Sequence, residues 1–102
     1  MSSYNDTEMK VIQWAEARKI IPNSTPLAQA IKTHEELGEL MSALNRNDTK
    51  EIKDAYGDIL VTLVIGAALS NFDLKECFES AYQTIKNRQG YLLSNGVFVK
   101  EA

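Results

Sequence analysis

The chain has 102 residues, of which 44% are hydrophobic and 25% charged, with a formal net charge of −3. These values fit one globular domain over residues 1–102, and the negative charge argues against a nucleic-acid binder. The single cysteine, Cys77, excludes an internal disulfide and fits a reducing compartment, so we expect a cytoplasmic protein. No secretory leader is visible at the start, and the longest apolar run, 59–69, is much shorter than the ~20 residues that span a bilayer. We therefore expect no membrane partner.

A first helix is predicted from about Thr7 to Lys19, because helix-capping residue types precede it at Asn5 and Asp6. Turn-forming residues follow, so residues 20–25 are predicted to be a connection.

A second helix is predicted from Pro26, which suits the first position of a helix, to about Asn45. On a helical projection, Glu35 and Glu39 lie at the edge of its apolar stripe and Glu36 lies further round. Residues at i, i+3 and i+4 spacing form that stripe: Leu27, Ala30, Ile31, His34, Leu37, Met41 and Leu44.

A third helix is predicted to start after the cap residues 47–48 and to run to about Ser70. Asp54 and Asp58 share a face with residues expected in the core: Thr62, Ile65 and Leu69. The segment 59–69 is apolar nearly all round, which indicates packing on more than one side. A central helix or a subunit interface would explain this pattern, and we expect a homodimer or a homotetramer.

A fourth helix is predicted after the cap residue Asp73, with Gly90 just past its end. After the turn formers at 94–96, Val97–Val99 is predicted to be extended. The expected fold is an all-α, antiparallel four-helix bundle-like subunit with a short extended C-terminal tail. The fourth helix has an unbroken apolar stripe: Leu74, Cys77, Phe78, Ala81, Tyr82 and Ile85.

Carboxylates cluster on the second and third helices, and the short link between these helices allows them to pack antiparallel. One interpretation is a pair of solvated faces, partly neutralised by Lys32 and Lys50 four residues before an acid. Because both clusters border apolar faces, we favour a Mg²⁺ site, with Mn²⁺ as a possible substitute, since hard oxygen ligands suit this cation. The predicted metal ligands are Glu35, Glu36, Glu39, Asp54 and Asp58.

Other residues have a structural and a functional interpretation of similar weight. Trp14 is a candidate for stacking on a nucleobase or for a core or interface position. Lys86, Asn87 and Arg88 could contact phosphates, but cations are also favoured at a helix C-terminus. His34 and Cys77 lie on apolar stripes, so we predict that they are core residues. The predicted substrate-binding residues are Trp14, Lys86, Asn87 and Arg88.

The segments HEELGEL at 34–40 and KDAYGDILV at 53–61 resemble the MazG-like nucleotide pyrophosphohydrolases, an all-α superfamily marked by EExxE on one helix and ExxD on the next. VIQWAEARKIIPNSTPLAQ, IKNRQG and NGVFVKE are similar to compact, often phage-encoded members. The resemblance therefore covers nearly the whole chain.

This resemblance implies Mg²⁺-dependent hydrolysis of nucleoside triphosphates to monophosphate and pyrophosphate, which removes non-canonical or surplus nucleotides. It implies catalytic roles for Glu35, Glu36, Glu39 and Asp58, with Glu35 as a further ligand or as a base. The sequence departs from the pattern at Ala55, where the family has glutamate; Asp54, one residue earlier, could substitute. Two alternatives remain open: a catalytically weak helical nucleotide-binding or interaction module, and a structural adaptor.

Overall fold

The protein is described by a computed structural model that covers residues 3–101. This part of the chain is mostly helical, which confirms the predicted all-α class. Its elements are α1 (Tyr4–Ala17), α2 (Ile20–Asn23), α3 (Pro26–Arg46), α4 (Thr49–Leu69), α5 (Leu74–Ile85), β1 (Gly90–Leu92) and β2 (Phe98–Lys100).

The N-terminal helix starts three residues earlier than predicted, because a capping box forms at Ser3. The Ser3 hydroxyl accepts from the Asp6 backbone N–H at 3.1 Å, and the Asp6 carboxylate accepts from the Ser3 N–H at 3.5 Å. The predicted connection 20–25 contains the single helical turn α2, which follows Lys19 in the left-handed conformation with φ 66°. The structure therefore has one short helix more than predicted.

Helices α3 and α4 form the antiparallel pair on which the fold is built. The link between them is short because Asn47 adopts a left-handed conformation with φ 55° and Asp48 caps α4, accepting from the Glu51 N–H at 3.2 Å. The Thr33 and Thr62 hydroxyls meet at 2.7 Å between the helices. The small buried core consists of Ala15, Leu40, Ala43, Ala55, Val64 and Ile65.

The predicted apolar stripe of α3 does not pack inside the chain. Leu27 is 71% exposed and Ile31 59%, whereas α3 buries Glu36, Leu40 and Ala43. The small residues Ala43 on α3 and Ala55 on α4 are both buried in the core, and small side chains allow close helix packing. The longer apolar side chains remain outside. The core assignments of His34 and Cys77 were wrong for the same reason, since both are exposed.

The C-terminal tail is a β-hairpin in which Tyr91 pairs with Val99 and the turn contains Gly96 at φ 88°. The predicted extended segment is confirmed, but the first strand was missed. Gly90, predicted to follow the helix end, begins β1 instead. A side chain at Gly90 would collide with the Val99 carbonyl and the Phe98 ring, so this position requires glycine.

No single helix within residues 3–101 has the length and apolar content to cross a membrane. Helices α4 and α5, bent by 101° at their junction, would meet that criterion of length and composition only as a pair.

The single chain leaves a large apolar surface uncovered, so the expectation of a homo-oligomer stays a prediction. In residues 3–101, 20 large hydrophobic side chains are at least 38% exposed, including Phe78 at 70% and Tyr82 at 53% on α5. Such extensive patches are typical of interaction surfaces. We expect sedimentation at micromolar concentration to give a species of at least twice 11.4 kDa.

The matched variants are Phe78→Asp, on this exposed apolar face, and Lys75→Asp, which adds the same side chain to a polar position of the same helix. Phe78→Asp should shift the protein towards the monomer, whereas Lys75→Asp should not. A stable wild-type monomer would contradict the prediction.

Candidate active site

An acidic cleft of about 280 Å³ lies between α3 and α4. Its α3 wall carries three residues at i, i+3 and i+7 spacing, Glu39, Ser42 and Arg46. Its α4 wall repeats that spacing with Glu51, Asp54 and Asp58. The tight link after α3 turns the two faces towards each other. The cleft is lined by Glu39, Ser42, Arg46, Glu51, Asp54, Ala55 and Asp58. We call this space the acidic cleft.

The two aspartates occupy the predicted helix but not the predicted environment. Asp54 and Asp58 are exposed, whereas Ala55 is 5% exposed and belongs to the core. Thr62 and Ile65 are buried on the predicted face of α4, but near the start of the helix Ala55 is buried in place of the two aspartates. The aspartates therefore keep their solvation and border the cleft. The expectation that they point at the core was wrong.

Glu36, in contrast, is nearly buried at 8% exposure, although the helical projection placed it further from the core than its neighbours. Its Oε1 lies 3.6 Å from Lys32 Nζ, while its Oε2 is buried without a hydrogen-bond partner in residues 3–101. A buried acceptor without a partner costs ~1–3 kcal/mol, and more when it is charged. Glu36 is therefore the position where a cation would compensate the largest penalty.

Lys32 neutralises part of the first acidic cluster. Its Nζ lies 3.5 Å from Glu35 Oε2, and the Glu35 charge, followed by the Glu35 hydrogen bond and the Glu36 charge, raises the pKa of Lys32. This geometry matches the partial neutralisation considered from the sequence. No group of three His, Cys, Asp or Glu side chains in residues 3–101 is arranged to hold a metal ion. The five-carboxylate ligand set stays a prediction.

Two further cavities adjoin the acidic cleft on the side of α1. One, of about 450 Å³, is lined by Tyr4, Glu8 and Val11 of α1 and by Asp54 and Asp58 of α4, among others. The other, of about 380 Å³, is lined by Trp14 and Asp58 among others. Asp58 thus borders all three spaces, which makes it the residue at which acidic and apolar surfaces meet.

Trp14 is 47% exposed and lines the same cavity as Asp58, so its ring is accessible to a ligand. The Arg18 guanidinium lies 5.9 Å from the centroid of the Trp14 ring, within cation–π range. The structural interpretation of Trp14 as a buried core residue is therefore wrong.

Lys86, Asn87 and Arg88 line neither the acidic cleft nor the two cavities beside it. They follow α5, which leaves α4 at 101°. Asp58 precedes the end of α4 by roughly 16 Å of helix, and α5 adds roughly 17 Å in a nearly perpendicular direction. Their role in phosphate binding stays a prediction.

The sequence reasoning missed two cations beside the carboxylates. Arg46 lines the acidic cleft and pairs with Asp48 at 3.2 Å, and Lys53 lines the larger neighbouring cavity. Arg46 lies seven residues after Glu39, so the two residues share a helical face. The same helical spacing that grouped the carboxylates could therefore have identified Arg46 from the sequence.

Comparison with known proteins identifies the family. Residues 24–92 match the model of the MazG nucleotide pyrophosphohydrolase domain, and this range contains both acidic helices. The chain belongs to the MazG nucleotide pyrophosphohydrolase family. The recognition made from HEELGEL and KDAYGDILV is thereby confirmed.

Two phage proteins are similar to this MazG-family chain. An 18.2 kDa protein from the rep-hol intergenic region of Haemophilus phage HP1 is 46% identical over 61 residues, which are 60% of this chain and 37% of that protein. The chain thus matches well under half the length of that relative. The MazG-like pyrophosphohydrolase of cyanophage S-2L, solved with dGDP and three catalytic Mn²⁺ ions per active site, superposes with a TM-score of 0.73 at 20% identity, over 99% of this chain and 95% of that one. This superposition shows a shared fold.

Proposed function

We propose that residues 1–102 form one cytoplasmic catalytic domain that hydrolyses (d)NTPs to (d)NMP and pyrophosphate with Mg²⁺, in house-cleaning of nucleotides. The observation that carries the proposal is the acidic cleft, where Glu39 of α3 lies opposite Asp54 and Asp58 of α4. Family membership supports the reaction class. The dGDP and Mn²⁺ of the cyanophage protein support a nucleotide substrate and a divalent cation.

The donor chemistry of these residues suits a hard divalent cation. Carboxylate oxygens are its preferred ligands, and Glu36 Oε2 is a buried oxygen without a partner in the described chain. Glu36, Glu39 and Asp58 would be the main ligands, with Glu35 and Asp54 as additional ones. When bound, the cation would neutralise phosphate charge and acidify a coordinated water.

The chain's own residues would orient the substrate. Arg46 would contact a phosphate from within the cleft, and Glu35, 63% exposed at its side chain, would orient the attacking water as a base. The nucleoside would extend past Asp58 towards Trp14, whose exposed ring suits stacking on a base. Lys86, Asn87 and Arg88 follow α5 and line none of the three spaces that Asp58 borders. In the proposed homodimer or homotetramer they would serve the cleft of a neighbouring copy.

Ala55 favours a second candidate, a catalytically weak nucleotide-binding module. It lines the acidic cleft at the place where the family's glutamate would add a carboxylate. Without that group, nucleotide and metal could bind while turnover stays slow. Asp54 and Glu51 are the neighbouring acids that could compensate.

Pyrophosphate release from a panel of NTPs and dNTPs with Mg²⁺ or Mn²⁺ tests the proposal. Release of pyrophosphate with the matching monophosphate supports the enzyme. Mg²⁺-dependent nucleotide binding without turnover selects the binding module. Absence of both binding and turnover across the panel contradicts both candidates and leaves a structural adaptor.

A thermal shift is expected from the buried Glu36 Oε2, which has no hydrogen-bond partner in residues 3–101. Because a ligand that binds only the folded state stabilises it by mass action, ~2.7 kcal/mol at a hundredfold excess over Kd, Mg²⁺ should raise the Tm. The Glu36→Gln variant should lose most of this shift. The control Glu79→Gln, an exposed glutamate on α5, should keep it. An unchanged Tm at millimolar Mg²⁺, with and without nucleotide, would argue against a metal site.

A further inference from the structure

Helix α3 is packed on one side only. Within residues 3–101 it packs against no helix or strand other than α4, and its buried row is Glu36, Leu40 and Ala43. A row displaced by one position in the sequence is turned by about 100° around the helix. Two further rows therefore flank the buried one, on opposite sides of the contact with α4.

These two flanking rows of α3 differ in chemistry. The row one position earlier holds two residues of the acidic cleft, Glu39 and Ser42. The row one position later is Leu37, Met41 and Leu44, and all three side chains are at least 43% exposed. An exposed apolar row therefore lies on the side of α3 that faces away from the acidic cleft.

Helix α4 extends this row into a face formed by two helices. Tyr56 and Leu63 directly follow the buried Ala55 and Thr62, and both are exposed. Because α3 and α4 are antiparallel, the position after a buried residue lies on the same side of the pair in both helices. A groove of about 580 Å³, lined by Leu27 and Leu63 among others, joins the helices there. The α3–α4 apolar face consists of six exposed side chains: Leu27, Leu37, Met41, Leu44, Tyr56 and Leu63.

The chain also exposes more surface than a compact protein of its mass. Its accessible surface is 7829 Å², whereas a compact 11.4 kDa protein exposes about 5,800 Å². Its radius of gyration is 15.9 Å, against about 13 Å for a compact chain of this length. The excess of about 2,000 Å² lies within the roughly 1,000–2,500 Å² that each subunit of an obligate homodimer buries.

A second copy of the same chain fits this face. None of its six side chains carries a formal charge, so two copies with a net charge of −3 each can meet there without bringing like charges into contact. A twofold axis would place the face against itself and cover each apolar side chain in both copies at once. Among residues 3–101 no large side chain is fully buried, and two stacked helix pairs would form the four-helix core that one chain does not close.

We propose that a second copy of this chain covers the α3–α4 apolar face, and that this contact holds α3 in place as one wall of the acidic cleft. The cleft opens on the other side of the helix pair and stays accessible. Carboxylates on its two walls repel each other, and α3 has no neighbour but α4 in its own chain to oppose that repulsion.

The covering of the face is independent of the proposed reaction, whereas its coupling to cation binding rests on the proposed function. A cation between the walls and a partner behind them favour the same arrangement of α3 and α4. Because such coupling is reciprocal, Mg²⁺ should strengthen the assembly by the same factor by which the assembly strengthens Mg²⁺ binding.

Self-association of the full chain, measured by sedimentation equilibrium over a range of concentrations, tests the face. Leu27→Gln and Leu63→Gln should each raise the dissociation constant by at least ~10-fold, because each leucine is covered twice in a symmetric dimer. Leu92→Gln makes the same change at an exposed leucine of the hairpin and should leave the constant unchanged. All three leucines are exposed in the single chain, so the variants should fold.

Hydrogen exchange of the wild type gives a measurement that needs no variant. On dilution below the dissociation constant, the amide protection of α3 should fall at least ~10-fold relative to that of α1, which packs against three helices of its own chain. A wild type that is monomeric at micromolar concentration would overturn the inference. Equal weakening of the assembly by Leu63→Gln and Leu92→Gln would overturn it as well.

Mg²⁺ separates this inference from the proposed function. Millimolar Mg²⁺ should lower the dissociation constant of the wild type but not that of Glu36→Gln. Mg²⁺ that binds the monomer and the assembled protein with equal affinity would overturn the role of the partner in holding the cleft. Assembly through this face without any Mg²⁺ binding would contradict the proposed metal site and leave the covering of the face supported.

Discussion

Replacing Glu39 by glutamine or Asp58 by asparagine is expected to lower pyrophosphate release by more than ~100-fold, since even groups behind the metal ligands typically contribute 10–100-fold. Each change keeps the shape of the side chain and removes one negative charge from a wall of the acidic cleft. The loss should appear in kcat/KM at saturating Mg²⁺.

The same variants should fold as well as the wild type or better. Glu39 lies four residues after Glu35, and Asp58 four after Asp54, so each pair repels by ~0.2–0.5 kcal/mol on an exposed helix. Denaturant unfolding without metal measures this effect, and Glu79→Gln on α5 is the control for both activity and stability. Full activity with a loss of stability would mean that the acidic faces are structural.

The second large effect is expected for Asp54→Asn. This variant tests whether Asp54 replaces the glutamate that the family has at the position of Ala55. Asp54 is exposed, lies one residue before Ala55 and lines both the acidic cleft and the cavity next to α1. If Asp54 supplies the missing ligand, its loss should reduce pyrophosphate release as strongly as Asp58→Asn does. Steady-state kinetics of the two variants side by side decide this.

Near-normal turnover of Asp54→Asn would remove Asp54 from the ligand set. Glu51→Gln is then the informative companion, because Glu51 lines the same cleft and lies four residues before Ala55. If neither variant loses activity, Glu36, Glu39 and Asp58 remain as the main predicted ligands.

The all-α class and the starts of α3, α4 and α5 were the parts of the fold that the sequence could predict. Thr25 accepts from the Ala28 N–H at 3.0 Å, and Asp48 and Asp73 cap α4 and α5 as predicted. These signals are local, because a cap is formed by residues three or fewer positions apart. The capping box at Ser3 was equally local and was missed only because Asn5 and Asp6 are also capping types.

The side that each helix buries could not be predicted, because it depends on how the helices pack against one another in the folded chain. On α3, Glu36 and Ala43 face the core while Leu27 and Ile31 remain outside. Hydrophobic periodicity identifies which residues avoid water, but not whether the chain or another copy covers them. The same limit explains why Asp54 and Asp58 were expected to point towards the core although both are exposed.

The C-terminal hairpin is a suitable place to attach a tag or a label. Among the described residues, neither strand contacts any of the five helices, and the turn at Asn95 and Gly96 is exposed. A short peptide epitope, or a dye-labelled cysteine in a Cys77→Ser background because Cys77 is itself exposed, inserted at this turn would therefore leave the helix packing and the cleft intact. The protein could thus be immobilised or followed by fluorescence through a segment that folds on itself.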